Sequence, residues 1–154
     1  MPFDTSMPVL VVEPHAATII TLEDMLRKLG FGTVDIAADS TSAVELLQQG
    51  GPRLVIADLH LEPASGLHLL RTIRSDDKLK RSPFILSART LSSTEATAIK
   101  HCGADCFLLK PFKHEVLRRK VDAALHSHPI VRPGQVVTPR KFSMALGRRF
   151  GHWA

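Results

Sequence analysis

Two carboxylates in this chain come directly after short apolar runs, at positions where a β-strand would end. Glu13 follows Val-Leu-Val-Val, and Asp58 follows Leu-Val-Ile-Ala. A serine, Ser87, and a lysine, Lys110, stand at the ends of two later apolar runs. Carboxylates act as nucleophiles or as oxygen ligands of hard cations, while a hydroxyl and an ammonium group suit an anionic partner. These four residues can act together only if the fold brings the ends of their strands to one place.

The hydrophobic pattern predicts five strands that alternate with five helices. Short β-branched apolar runs are typical of buried parallel strands, and apolar residues three or four apart indicate the helices. Asp39 or Ser40 is predicted to cap the second helix, and glycines are predicted to end three of the helices. The predicted strands are 8–12, 33–37, 54–57, 84–87 and 106–109, and the predicted helices are 19–29, 40–50, 67–74, 92–101 and 113–126.

Strict alternation of strand and helix predicts an α/β fold, in which a five-stranded parallel sheet carries helices on both faces. In the doubly wound strand order 2-1-3-4-5, the functional crevice lies at the carboxyl ends of strands 1 and 3. Those two ends carry Glu13 and Asp58. The predicted topology therefore places the two carboxylates side by side.

The composition indicates a globular protein with a substantial core, since 44% of its 154 residues are hydrophobic. No apolar run approaches the roughly 18 residues of a transmembrane helix, and the first residues lack the regions of a signal peptide. The two cysteines, Cys102 and Cys106, do not form a disulfide framework. These features predict a cytoplasmic protein without a membrane span.

The charge is concentrated at one end of the chain. The net charge is +5, yet residues 1–127 contain 15 basic and 15 acidic residues, so the entire excess lies beyond residue 127. Residues 128–139 contain three prolines and read as a linker. The sequence therefore predicts one domain over 1–127 and a partly flexible Pro/Arg-rich extension over 128–154. Arg118-Arg119-Lys120, on the last predicted helix, is interpreted as a solvated basic face, with an extension of the positive charge of 128–154 as the alternative.

Several motifs in this order resemble the receiver domains of bacterial two-component response regulators, which have the flavodoxin-like, chemotaxis-regulator-like fold. The resemblance spans residues 7–127. It is carried by the strand that ends in Asp58, the small residue-Gly-Leu motif Ser65-Gly66-Leu67, the pair Ser87-Ala88, the aromatic Phe107, and Lys110-Pro111.

The resemblance implies a role for each of these positions. Asp58 would be the phosphoacceptor, while Lys110 and Ser87 would contact oxygens of the phosphoryl group, whose transition state spreads charge over them. Ser87 and Phe107 would be the switch residues. Mg²⁺ would be held by Glu13, Asp58 and the backbone carbonyl of His60.

Two positions depart from the family pattern. After the first strand the family has two or three acids, whereas this chain has Glu13-Pro14-His15. We expect a weakened Mg²⁺ site, because Pro14 replaces the acid that in the family normally contributes most to metal binding, and His15 adds no hard ligand. In the loop after Asp58, Glu62 stands where the family has a proline, which here comes one residue later.

The sequence leaves two functions open. The first is a stand-alone receiver, not an enzyme, that accepts a phosphoryl group on Asp58 from a histidine kinase or phosphotransferase and signals by contact with a downstream protein. The alternative is a phosphorylation-independent pseudo-receiver whose arginine-rich extension binds an anionic ligand such as cyclic di-GMP. A subfamily of such regulators carries a similar segment, and nonspecific nucleic-acid binding ranks last. The residues that would bind the anion are Arg140, Lys141, Arg148 and Arg149.

Overall fold

The computed structural model describes residues 4–127, which form five strands and five helices in strict alternation. Each predicted element is present, and the observed bounds differ from the prediction mainly by a residue or two at the ends. The strands are β1 (Val9–Val12), β2 (Val34–Ala37), β3 (Leu54–Asp58), β4 (Phe84–Ala88) and β5 (Cys106–Leu109). The helices are α1 (Ala16–Lys28), α2 (Ser40–Gly50), α3 (Gly66–Ser75), α4 (Ser93–Lys100) and α5 (His114–Ser127).

The strands form one parallel sheet in the order β2-β1-β3-β4-β5, which confirms the predicted topology. In this register Asp58 lies beside Ser87, and Val12, the last residue of β1, lies beside Ala57. Because all strands run the same way, their carboxyl ends meet at one edge of the sheet. The register thus brings the predicted site residues to that edge.

Alternate residues of the strands feed two hydrophobic clusters, one on each face of the sheet. One cluster joins Leu10, Val55 and Leu86 to helices α2, α3 and α4, and the other joins Val11, Ile56 and Ile85 to α1 and α5. Since the central strands are buried on both faces, their sequences are continuous apolar runs rather than alternating ones. Accordingly, every residue of β1, β3 and β4 is buried.

Side-chain caps fix where three of the helices begin. Asp39 accepts a hydrogen bond from the Ser42 amide at 2.7 Å, so Asp39 rather than Ser40 caps α2. Ser65 caps α3 in the same way. Ser92 and Glu95 form a capping box at the start of α4. These caps satisfy amide groups that the helices themselves leave unpaired.

The interpretation of Lys120 as part of a solvated face is wrong. Lys120 is buried on α5, on the side that also carries Leu117 and Ala124, because residues three and four apart share one face of a helix. Burial lowers the pKa of Lys120 and raises the pKa of the neighbouring thiol, Cys106, to about 12. At neutral pH the Cys106 thiol is therefore protonated and packs as an apolar group.

An ion pair between the half-buried Arg74 and the buried Asp105 stabilises the edge of the sheet opposite the strand carboxyl ends. Arg74 of α3 donates to the Asp105 carboxylate at 3.1 Å and to the backbone carbonyls of Lys80, Ser82 and Gly103. Asp105 also accepts the Phe84 amide at 2.8 Å. The pair thus ties α3 to the segments that enter β4 and β5. Among residues 4–127, no helix is long and apolar enough to cross a membrane.

Candidate functional site

Asp58, the last residue of β3, lies at the carboxyl edge of the sheet with its carboxylate almost fully buried. Its Oδ1 lies 3.4 Å from the His60 amide, and its Oδ2 lies 3.7 Å from Lys110 Nζ. On the adjacent strand, the buried Ser87 hydroxyl donates to the Ala57 carbonyl at 3.5 Å. The fold therefore gathers a carboxylate, an ammonium group and a hydroxyl, the set that the sequence analysis singled out.

Glu13 and Lys110 form a buried ion pair beside Asp58. Lys110 Nζ contacts Glu13 Oε1, and both side chains are nearly inaccessible to solvent. The backbone holds these two residues in place, because the Glu13 amide donates to Ala37 at 3.0 Å and the Lys110 amide donates to Ala88 at 2.9 Å. One lysine thus balances part of the charge of two carboxylates that have little water to solvate them.

His15 joins the two carboxylates in a way that the sequence analysis missed. Its amide and its Nδ1 both lie 3.1 Å from Glu13 Oε2. Glu13, His15 and Asp58 each offer one potential ligand atom, and these atoms lie within 4.8 Å of one another. The carboxylate oxygens fit a hard divalent cation such as Mg²⁺. The signal for His15 was its position two residues after Glu13, since such residues lie on the same side of an extended chain.

Gly66 allows α3 to begin against the strand end that carries Asp58. A Cβ atom at this position would lie 2.2 Å from the Asp58 carbonyl oxygen and 3.0 Å from Leu59 Cα. The contact is between two backbone segments, so no side-chain rotation can relieve it. This close approach gives a structural reason for glycine in the Ser65-Gly66-Leu67 motif.

We expect Gly66→Ala to lower the free energy of unfolding by about 1–3 kcal/mol, because the backbone that carries Asp58 must shift. Urea unfolding followed by circular dichroism measures the change. The matched control is Gly32→Ala, since a Cβ at Gly32 meets no atom within 4 Å. A Gly66→Ala protein as stable as wild type would show that the loop accommodates the methyl group.

His60 carries a contact that the sequence did not predict. Its Nε2 lies 2.9 Å from Glu95 Oε2, which links the loop after β3 to the first turn of α4. Two hydrogen bonds lower the pKa of Glu95: the larger effect comes from the Ser92 amide and the smaller from the His60 ring. Glu95 belongs to the capping box of α4, and nothing in the local sequence identified His60 as its partner across 35 positions.

Phe107 faces the interior of the protein. It is 5% exposed, pairs with Leu86 in the sheet, and belongs to the same hydrophobic cluster as Leu59, Ala88 and Ile99. The aromatic ring thus packs in the cluster that connects the strand ends near Asp58 to helix α4. Its role as a switch stays a prediction.

A cleft of about 270 Å³ lies beside Lys110, between α1 and the segment that follows β5. Arg89 stands at this cleft with its side chain exposed, two residues after Ser87, and Phe112 contributes an aromatic wall. Two cationic side chains that border one cleft attract anions to it. The predicted anion-binding residues of the C-terminal extension, Arg140, Lys141, Arg148 and Arg149, lie outside the described residues.

Comparison with known families gives a match to the response regulator receiver domain over residues 9–122. The chain is 27% identical over 116 residues to a chemotaxis protein CheY of Pseudomonas aeruginosa, a match that covers 75% of this chain and 94% of that protein. Identity to CheY-3 of Vibrio cholerae is 26%, with 76% of this chain and 90% of that protein covered.

Solved structures support the fold. The receiver domain of a signal transduction histidine kinase from Syntrophus aciditrophicus superposes with a TM-score of 0.74 at 24% identity, covering 86% of this chain and 100% of that chain. The receiver domain of a sensor histidine kinase from Pseudomonas aeruginosa superposes with a TM-score of 0.68 at 26% identity, covering 77% of this chain and 98% of that chain. That structure has a magnesium ion coordinated in its active-site cleft.

Proposed function

Because the chain belongs to the response regulator receiver domain family, we propose that it acts in two-component signalling by accepting a phosphoryl group on Asp58. The observation that carries this proposal is the buried Asp58 carboxylate, which lies 3.7 Å from Lys110 Nζ and beside Ser87 in the sheet. The donor would be a histidine kinase or a histidine phosphotransferase.

The proposed transfer uses the chain's own residues as follows. One carboxylate oxygen of Asp58 attacks the phosphorus atom, an O–P bond forms, and the P–N bond of the donor phosphohistidine breaks with its electron pair left on the imidazole nitrogen. Lys110 and the Ser87 hydroxyl would then contact oxygens of the phosphoryl group, on which negative charge accumulates. Ser87 is freed for this contact at little cost, because its present hydrogen bond to Ala57 is long.

Glu13, Asp58 and the backbone carbonyl of His60 would hold Mg²⁺. When bound, the ion neutralises part of the charge on the phosphoryl oxygens. We expect a weakened site, since Pro14 leaves it one carboxylate short of the family pattern.

The proposed output is a change in the face formed by α4, β5 and α5. Phe107 and Ala88 share a hydrophobic cluster with Ile99 of α4, so a shift of Ser87-Ala88 toward a phosphoryl group would disturb the packing beneath that face. Leu109, at the end of β5, is 57% exposed and offers an apolar contact to a protein target. Phosphorylation would thus shift the population between two states with different affinities for that target.

Incubation of the full-length protein with acetyl phosphate, in parallel with Mg²⁺ and with Mn²⁺, tests the proposal. We expect intact-mass spectrometry to show the addition of one phosphoryl group to the wild type and to Asp77→Asn, a control at an exposed aspartate. Asp58→Asn should gain none. Equal adduct on Asp58→Asn, or no wild-type adduct with either cation, would contradict phosphoryl transfer to Asp58.

We also propose that the receiver domain spans residues 1–127 and that 128–154 form a separate extension. The support within the described residues is that 4–127 form a complete sheet covered by five helices. Binding of an anionic ligand such as cyclic di-GMP by that extension remains a prediction from sequence, because its basic residues lie outside the described part of the chain.

A further inference from the structure

His15 occupies a position in which the fold does not need an imidazole ring. It is the N-cap residue of α1, yet its side chain makes no capping hydrogen bond. Serine, threonine, aspartate and asparagine are the usual residues there, because their side chains accept hydrogen bonds from the first amides of the helix. The ring is 66% exposed and buries little apolar surface. Neither capping nor packing accounts for His15.

The ring is instead directed at the buried acidic pair. Its Nδ1 and the His15 amide both lie 3.1 Å from Glu13 Oε2, while Lys110 engages the other oxygen of that carboxylate, Oε1. The two carboxylate oxygens of Glu13 thus contact different side chains, since Lys110 lies at Oε1 and His15 lies at Oε2. Asp58 completes the group, since one potential ligand atom from each of Glu13, His15 and Asp58 lies within 4.8 Å of the others.

A span of this size is within reach of one metal ion after small side-chain movements. Metal–ligand bonds to nitrogen and carboxylate oxygen are about 2.0–2.2 Å long, so ligands on opposite sides of one ion stand roughly 4.4 Å apart. The two carboxylates are buried and held by the sheet, whereas the ring of His15 is 66% exposed, so little packing opposes a small rotation of it. The histidine can therefore adjust to a cation that the carboxylates hold.

We propose that the cation site of this chain is a Glu13–His15–Asp58 site that selects a divalent transition metal ion over Mg²⁺. This inference rests on the proposed function, because it concerns the cation of the same site. Mg²⁺ is a hard ion that takes oxygen ligands, and it gains little from an imidazole. Divalent transition metal ions accept an imidazole nitrogen alongside carboxylates. For these ions, the nitrogen of His15 supplies a ligand in place of the acid that is missing because residue 14 is proline.

Electron paramagnetic resonance with Mn²⁺ as the probe tests this selectivity on the full-length protein. The loss of the free-ion signal gives the Kd of Mn²⁺, and competition with Mg²⁺ gives the relative affinity. We expect nitrogen coupling in the pulsed spectrum of bound Mn²⁺. His15→Ala should remove that coupling and weaken Mn²⁺ binding by about tenfold or more, with little effect on Mg²⁺ binding.

His101→Ala is the matched control, because His101 is an exposed histidine at the end of α4. It should leave the coupling and both affinities unchanged. Three results would overturn the inference: no binding of Mn²⁺, bound Mn²⁺ without nitrogen coupling, or an equal loss of Mn²⁺ and Mg²⁺ affinity in His15→Ala.

The acetyl phosphate experiment separates this inference from the proposed function. An adduct on Asp58 that forms equally well with Mg²⁺ and Mn²⁺, without nitrogen coupling, would retain the phosphoacceptor and remove the role of His15. Nitrogen coupling without any adduct would retain the metal site and remove phosphoryl transfer.

Discussion

Lys110→Met is expected to slow the phosphorylation of Asp58 by about 10²- to 10³-fold, the usual effect of removing one group that stabilises developing negative charge. The reason is visible in the geometry. Lys110 Nζ lies 3.7 Å from Asp58 Oδ2 and contacts Glu13, so it is the buried cation that faces both carboxylates. Without it, an incoming phosphoryl group would meet two carboxylates that have lost their ammonium partner. The measurement is the initial rate of adduct formation with acetyl phosphate, followed by intact mass.

Lys113→Met is the matched control, because Lys113 is an exposed lysine three residues further along the chain and its loss changes the net charge equally. It should react at nearly the wild-type rate. Circular dichroism checks that Lys110→Met is folded, since removal of one partner from a buried ion pair also lowers stability. If folded Lys110→Met reacts within about threefold of wild type, Lys110 does not stabilise the transfer, given the size of effect expected for such a group.

Arg74→Met is expected to lower the free energy of unfolding by about 3–5 kcal/mol. The substitution leaves the Asp105 carboxylate, which is 1% exposed, without its guanidinium partner. It also removes the donors to three backbone carbonyls, those of Lys80, Ser82 and Gly103. A buried charge without its partner is more costly than the lost hydrogen bonds alone. Urea unfolding at neutral pH measures the change.

Arg71→Met provides the control within the same helix, because Arg71 is exposed on α3. A surface substitution of this kind should change stability by no more than about 0.5 kcal/mol. The double variant Arg74→Met/Asp105→Asn should recover part of the loss, since it removes the uncompensated charge as well as its partner. A loss below about 1 kcal/mol in Arg74→Met would show that water solvates Asp105 in the folded protein.

The sequence by itself predicted the fold and the placement of Glu13 and Asp58 at one edge of the sheet. Buried parallel strands have continuous apolar sequences, so the five strands were visible as runs, and the helices were visible from their spacing. The parallel order then placed the ends of β1 and β3 together, and with them Glu13 and Asp58. Both steps depend on local periodicity and a topological rule, and neither requires knowledge of how side chains pack.

Only the tertiary structure decided which neighbours these residues have. The sequence indicated a solvated lysine at 120 and a histidine at 15 that adds no hard ligand, whereas Lys120 is buried and His15 lies against Glu13. The sequence also did not predict the contact between His60 and Glu95 or the close approach of Gly66 to Asp58. Contacts of this kind depend on the packing of helices against the sheet and on the path of the loops at its edge. A local pattern carries no information about distances between elements that meet only after folding.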